Sequence, residues 1–125
     1  MTGAVPPAHV LVAEDNALVG SAMRILFEES GYRVNVTPTI AATVAAASAE
    51  PVDVLLLDLG LADGDGLLVL AELARRGAMP RVAVALTGRD DPDTVQRCLD
   101  AGCAAVLVKP VPARELMAKI REWVR

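Results

Sequence analysis

Aromatic side chains are nearly absent: Phe27, Tyr32 and Trp123 are the only three in 125 residues. A chain with 54% hydrophobic residues and so few rings must build its core from Val, Leu, Ile, Met and Ala. Cysteine is scarce too. Cys98 and Cys103 are too few for a disulfide framework, and with His9 as the one histidine no Cys/His cluster offers a zinc site. No apolar run approaches the roughly 18 residues of a membrane span. Residues 1–8 lack the basic cluster and apolar stretch of a secretory signal, and Pro6-Pro7 suggests an irregular lead-in. The expected address is the cytoplasm, with no membrane partner. Basic excess is also missing: the net charge is −4, which argues against direct nucleic-acid binding by this domain. The length suits one domain, which folds without staples.

What is present is a repeated alternation. Short β-branched runs at residues 9–13, 32–36, 54–57, 81–86 and 104–108 read as strands. The third and fourth are apolar almost throughout, as expected when helices cover both faces of a sheet. Helical patterns follow at 17–30, 40–49, 67–76, 93–101 and 113–123. In the first, Leu18, Ala22, Ile25 and Leu26 recur at helical spacing. Gly31, Gly77 and Gly102 stand where helices one, three and four should stop. In the fourth helix Val95 and Leu99 are expected in the core, with Arg97 outward; Arg114 and Lys119 of the fifth are also expected outward. Alternating strands and helices imply parallel pairing through right-handed crossovers. Five such units predict an α/β fold, a (βα)5 doubly wound sandwich of the flavodoxin-like type, with strand order 2-1-3-4-5 taken by analogy. The expected division is a lead at 1–8 and a domain at 9–125.

Polar residues break this pattern at the ends of strands. Glu14-Asp15 follows the first strand, Asp58 the third, Thr87 the fourth and Lys109 the fifth. In a parallel sheet all C-terminal ends lie along one edge, so these residues converge on one rim, at the switch point where open α/β sheets place ligands. Three crowded carboxylates repel one another unless one takes a proton or a cation binds among them. Oxygen donors with room for water suit Mg²⁺. Such a rim can accept a phosphoryl group: Asp58 is the carboxylate nucleophile, Lys109 pairs with it at rest and with a phosphoryl oxygen afterwards, and Thr87 offers a hydroxyl. Taken singly, each has a plainer reading: Glu14-Asp15 as a cap for the first helix, Asp58 as a turn residue, Thr87 and Lys109 as solvated.

The set Glu14-Asp15, Asp58-Leu59-Gly60-Leu61, Asp65-Gly66, Ala85-Leu86-Thr87-Gly88 and Val106-Leu107-Val108-Lys109-Pro110 resembles the receiver domains of two-component signalling, over residues 9–125. The resemblance implies a response regulator module that takes a phosphoryl group from the phosphohistidine of a sensor histidine kinase or histidine phosphotransfer protein. It would then switch an interaction with a downstream effector protein or domain. It implies Asp15 as a direct Mg²⁺ ligand, Glu14 as a ligand through water, and the Gly60 backbone carbonyl as a further metal ligand. Asp58 would be the phosphoacceptor, Thr87 the switching hydroxyl and Lys109 the phosphoryl partner. It also implies a cis Lys109–Pro110 bond. Such a module catalyses its own phosphorylation and dephosphorylation but is not a turnover enzyme, and it stands alone or forms part of a larger regulator or hybrid kinase.

Departures from the family pattern fall on the output side. Val106 stands where an aromatic ring usually does, and valine cannot swing a ring between buried and exposed positions. Ala62 replaces a common proline. Ala104 and Ala105 replace the acidic residues of a salt-bridged dimer. Gly60 and Arg89 occupy positions that tune phosphoryl lifetime in the family. The alternative is a pseudo-receiver, a phosphorylation-independent interaction module. An aspartate-nucleophile phosphohydrolase needs a second aspartate where Gly60 stands, and no G-x-x-x-x-G-K-[ST] run offers a nucleotide site. Asp63-Gly64-Asp65-Gly66 superficially suggests a calcium loop, but the leucines after it make it a turn and helix start.

Overall fold

Strands form where the apolar runs are shortest and most branched. In the computed structural model, which describes residues 6–125, β1 (His9–Ala13), β2 (Arg33–Thr37) and β3 (Val54–Asp58) are followed by a two-residue hairpin, β4 (Gly60–Leu61) and β5 (Gly64–Asp65), then by β6 (Val82–Thr87) and β7 (Ala105–Val108). The helices are α1 (Ala17–Glu29), α2 (Ile40–Ala49), α3 (Leu67–Arg76), α4 (Pro92–Asp100) and α5 (Ala113–Trp123). The large sheet has five parallel strands in the order β2-β1-β3-β6-β7, the doubly wound order expected. The hairpin was not foreseen, because two-residue strands carry no periodicity. Of the lead expected at residues 1–8, residues 1–5 lie outside the described residues. Among the described residues no helix is long and apolar enough to cross a membrane.

Strand alternation divides the core into two layers. Leu11, Leu55 and Leu57 face α2, α3 and α4, where Val44, Leu70, Leu73 and Cys98 meet them. Val10, Val12, Val54 and Leu56 face α1 and α5, where they pack on Phe27, Leu116 and Ile120. Phe27 is fully buried, and truncating such a ring costs about 3–5 kcal/mol.

Two helix faces differ from the sequence expectation. Leu18 is 83% exposed and Ile25 57% exposed, while α1 buries Gly20 and Phe27 instead. Apolar spacing marks two stripes on this helix, and the sheet selected the one with Gly20, where a Cβ would come within 2.8 Å of Val36. On α4 the buried residues are Thr94 and Cys98; Val95 is half-buried and Leu99 exposed. Arg97 and Arg114 point outward as expected, whereas Lys119 is half-buried. Cys98 and Cys103 are buried free thiols, and burial pushes Cys103 up to about 11. His9 is structural: its ring lies 2.9 Å from the Pro51 carbonyl and 2.7 Å from Asn35 Oδ1.

Candidate functional site

Strand register brings the rim residues level. Ala13 pairs with Leu57, so Glu14 emerges beside Asp58; Asp58 pairs with Leu86; Thr87 pairs with Val108, so Lys109 emerges on the same edge. The Lys109 N–H donates to the Thr87 carbonyl at 2.7 Å, which fixes the start of the lysine's loop. The Lys109–Pro110 bond is cis.

The carboxylates crowd as their spacing suggested. One oxygen from each of Glu14, Asp15 and Asp58 lies within 4.8 Å of the others. Glu14 and Asp58 are buried, and Asp15 is exposed. Two like charges 4 Å apart repel by about 4 kcal/mol at an effective dielectric constant of 20, so the arrangement calls for a cation. Lys109 supplies part of it: Nζ donates to Asp58 Oδ2 at 2.6 Å and lies 3.6 Å from Glu14 Oε1. The second distance is an ion-pair contact too long for a hydrogen bond, and Glu14 Oε1 is a buried oxygen with no hydrogen-bond partner. Burial pushes the Glu14 pKa up; the Asn16 N–H on Oε2 at 3.1 Å opposes the shift, and the Asp58 charge adds to it. Burial acts to lower the Lys109 pKa, but the hydrogen bond and charge of Asp58, with Glu14 beyond, outweigh it and leave it raised.

The plainer readings are partly met as well. Asp58 Oδ1 accepts the Gly60 N–H at 2.9 Å, so the aspartate also forms a turn. The cap of α1 is Asn16, not Glu14 or Asp15: its Oδ1 accepts from Leu18 and Val19. Asparagine just ahead of an apolar helix is a recognisable cap signal that the sequence reading passed over. Thr87 is buried, and its Oγ1 accepts the Arg89 N–H at 3.1 Å.

Asp58 stands between two clefts. One, of about 490 Å³, is lined by Glu14, Asp15, Val19, Met23, Lys109 and Pro110. The other, of about 500 Å³, is lined by Gly60, Asp65, Thr87, Arg89 and Arg97. Gly66 closes the loop that follows Asp58. Its N–H donates to the Leu59 carbonyl at 2.8 Å, and a Cβ there would lie 2.3 Å from the Asp58 carbonyl oxygen. Asp63 and Asp65, read from sequence as part of a turn, also bond to helices: Asp63 accepts from Ile40 N and Ala41 N at the start of α2, and Asp65 accepts from Leu67 N and pairs with Arg97 of α4. The Asp65–Arg97 pair spans 32 residues of sequence and left no local signal.

Comparison with known proteins agrees with this geometry. Residues 10–121 match the family model of the response regulator receiver domain. The chain is 37% identical over 116 residues to the transcriptional regulatory protein KdpE of Mycobacterium tuberculosis, covering 93% of this chain and 50% of that one. It is 32% identical over 117 residues to the KDP operon transcriptional regulatory protein KdpE of Escherichia coli, covering 94% and 51%. The chain therefore spans about half the length of the curated relatives it matches. Among solved structures, the receiver domain of the sensor histidine kinase PA1611 from Pseudomonas aeruginosa, described with a magnesium ion in its active site cleft, superposes with a TM-score of 0.83 at 26% identity, covering 94% of this chain and 98% of that one. A CheY-like receiver domain protein from Methanospirillum hungatei superposes with a TM-score of 0.85 at 26% identity, covering 94% of each. With fold, rim and family model in agreement, the chain belongs to the receiver domains of response regulators, the signalling modules of two-component systems.

Proposed function

We propose that this chain accepts a phosphoryl group on Asp58 from the phosphohistidine of a sensor histidine kinase or histidine phosphotransfer protein. The observation that carries the reading is the buried Glu14 Oε1 left without a hydrogen-bond partner beside Asp58 and Asp15. An orphaned carboxylate oxygen facing other carboxylates fits a hard divalent cation. Glu14, Asp15, Asp58 and the Gly60 carbonyl would hold Mg²⁺, whose charge offsets the repulsion between the acidic rim and an incoming phosphoryl group.

The chain's own groups do the rest. Lys109 leaves Asp58 Oδ2 for a phosphoryl oxygen, freeing the carboxylate. An Asp58 oxygen forms a bond to phosphorus while the phosphorus–nitrogen bond to the donor imidazole breaks, its electron pair passing to that nitrogen. The Gly60 N–H on Oδ1 holds the carboxylate in orientation during attack. The Thr87 hydroxyl then turns from the Arg89 N–H toward the phosphoryl group, and α4 and β7 repack around it. Val106, half-buried on β7, offers no ring to this shift. The result reaches a downstream effector protein or domain as a changed surface; the names of the curated relatives suggest a transcriptional regulator as the whole. The setting is cytoplasmic, as for a kinase-coupled module.

The test is labelling by acetyl phosphate, read as intact mass. The expected adduct forms with Mg²⁺, is absent with EDTA, and is lost in Asp58→Asn. An unlabelled parent protein with Mg²⁺ present refutes the proposal and favours the pseudo-receiver.

A further inference from the structure

The Asp63-Gly64-Asp65-Gly66 turn has a use beyond chain reversal. Its hairpin pairs Gly60 with Asp65. Gly60 is tied to the acceptor by its N–H on Asp58 Oδ1. Asp65 uses one carboxylate oxygen to accept the Leu67 N–H at the start of α3 and the other to bind the Arg97 guanidinium. Among the described residues, Arg97–Asp65 is the one ion pair joining α4 to another element. A continuous chain of contacts therefore runs from Asp58 through Gly60 and Asp65 to the outer side of α4, and no aromatic residue takes part in it.

We infer that Arg97 is a positioning residue: through Asp65 it fixes the hairpin that carries the Gly60 carbonyl, and so couples cation binding at the acidic site to the placement of α4. The inference rests on the proposed role of Gly60 as a metal ligand and adds the means by which the loop is held. It also supplies a route to α4 that does not pass through residue 106. Coupling is reciprocal: if the Arg97–Asp65 pair favours the metal-binding loop, an occupied site favours the pair by the same factor. The pair is solvent-exposed on both sides, with Arg97 57% and Asp65 42% accessible, so its effect is modest, at most about fivefold.

The sign separates positioning from plain electrostatics. Deleting a positive charge near an acidic site strengthens Mg²⁺ binding if charge alone matters. Loss of positioning weakens it. In Arg97→Gln, calorimetric titration is expected to show Mg²⁺ binding about two- to fivefold weaker than in the parent, with Arg97→Lys between the two. In the metal-free protein, the Gly60 and Gly66 amides should exchange with solvent faster by a similar factor, because the hairpin opens more often. Equal or tighter Mg²⁺ binding in Arg97→Gln, or unchanged exchange at both glycines, overturns the inference. A parent protein that fails to bind Mg²⁺ refutes the acidic-site reading instead, and the metal-free exchange still decides whether Arg97 holds the hairpin.

Discussion

Substituting Gly66 by alanine tests how closely the backbone of Asp58 is packed. The added Cβ would lie 2.3 Å from the Asp58 carbonyl oxygen, 3.1 Å from Leu59 Cα and 3.2 Å from the Asp58 carbonyl carbon. All three are backbone atoms, so no side chain can rotate away. The backbone at Gly66 is right-handed helical, φ −57° and ψ −27°, which alanine adopts freely. The strain is therefore purely steric. An ordinary carbon–oxygen contact of about 3.3 Å requires an opening of about 1 Å. That shift breaks the Gly66–Leu59 hydrogen bond, worth about 1 kcal/mol, and adds an overpacking cost of about 1–3 kcal/mol. The sum, about 2–4 kcal/mol, is a large part of the roughly 5–15 kcal/mol of a typical domain. Urea unfolding should show the midpoint falling by about 1–2 M at a slope near 2 kcal/mol per M. The displaced atoms belong to Asp58, the residue proposed to accept the phosphoryl group, and a 1 Å error in a reacting group costs up to about a hundredfold in rate, so acetyl phosphate labelling should slow far more than stability accounts for. Gly88→Ala is the control: nothing lies within 4 Å of a Cβ there, and its stability should stay within about 0.5 kcal/mol of the parent. A Gly66→Ala protein with the parent's midpoint and labelling rate would refute the steric account of the loop.

Three further outcomes follow from the same geometry. Lys109→Gln removes the cation from Asp58 and Glu14; with the lysine side chain 37% exposed, the discounted loss is about 1 kcal/mol, seen as a melting point a few degrees lower without metal. Its Mg²⁺ binding should tighten, because a competing cation is gone. Asp63→Ala leaves the Ile40 and Ala41 N–H groups without their acceptor while Thr39 still caps α2, so amide exchange should become faster at Ile40 and Ala41 with the helix intact. Hydrogen bonds from Arg75 and Arg76 hold the Glu72 pKa down at about 2, below its usual 4.5, so its stabilising contribution is full above pH 4.5 and fades as pH falls toward 2. Denaturant midpoints of the parent and Glu72→Gln should differ at pH 7, less so in high salt, and converge near pH 2.

Sequence legibility followed the range of the forces involved. The bounds of β1, α2, α3 and α5 match the sequence expectation, because branched runs, prolines and stop glycines are local signals; Gly77 does end α3, in the left-handed conformation at φ 67°. The convergence of Glu14, Asp15, Asp58, Thr87 and Lys109 on one rim was legible from parallel topology, which aligns strand ends without any knowledge of side-chain contacts. The face of α1 was not. Leu18 and Ile25 are as apolar as the residues that were buried, and only the close approach at Gly20 and Val36 decided between the stripes. Asp63 reaching the start of α2 and Asp65 binding Arg97 were hidden for another reason: an aspartate in a turn has the same local pattern whether or not a distant group reaches it.

The two clefts on either side of Asp58 have a consequence for how such a domain changes over time. The α1 rim, with Val19, Met23 and Pro110, and the α4 rim, with Arg89 and Arg97, share Asp58 as a common wall. Substitutions on opposite rims with no shared contact should combine additively, and departures from additivity should mark changes relayed through the aspartate. A lineage can thus reshape one rim while the contacts of the other stay intact.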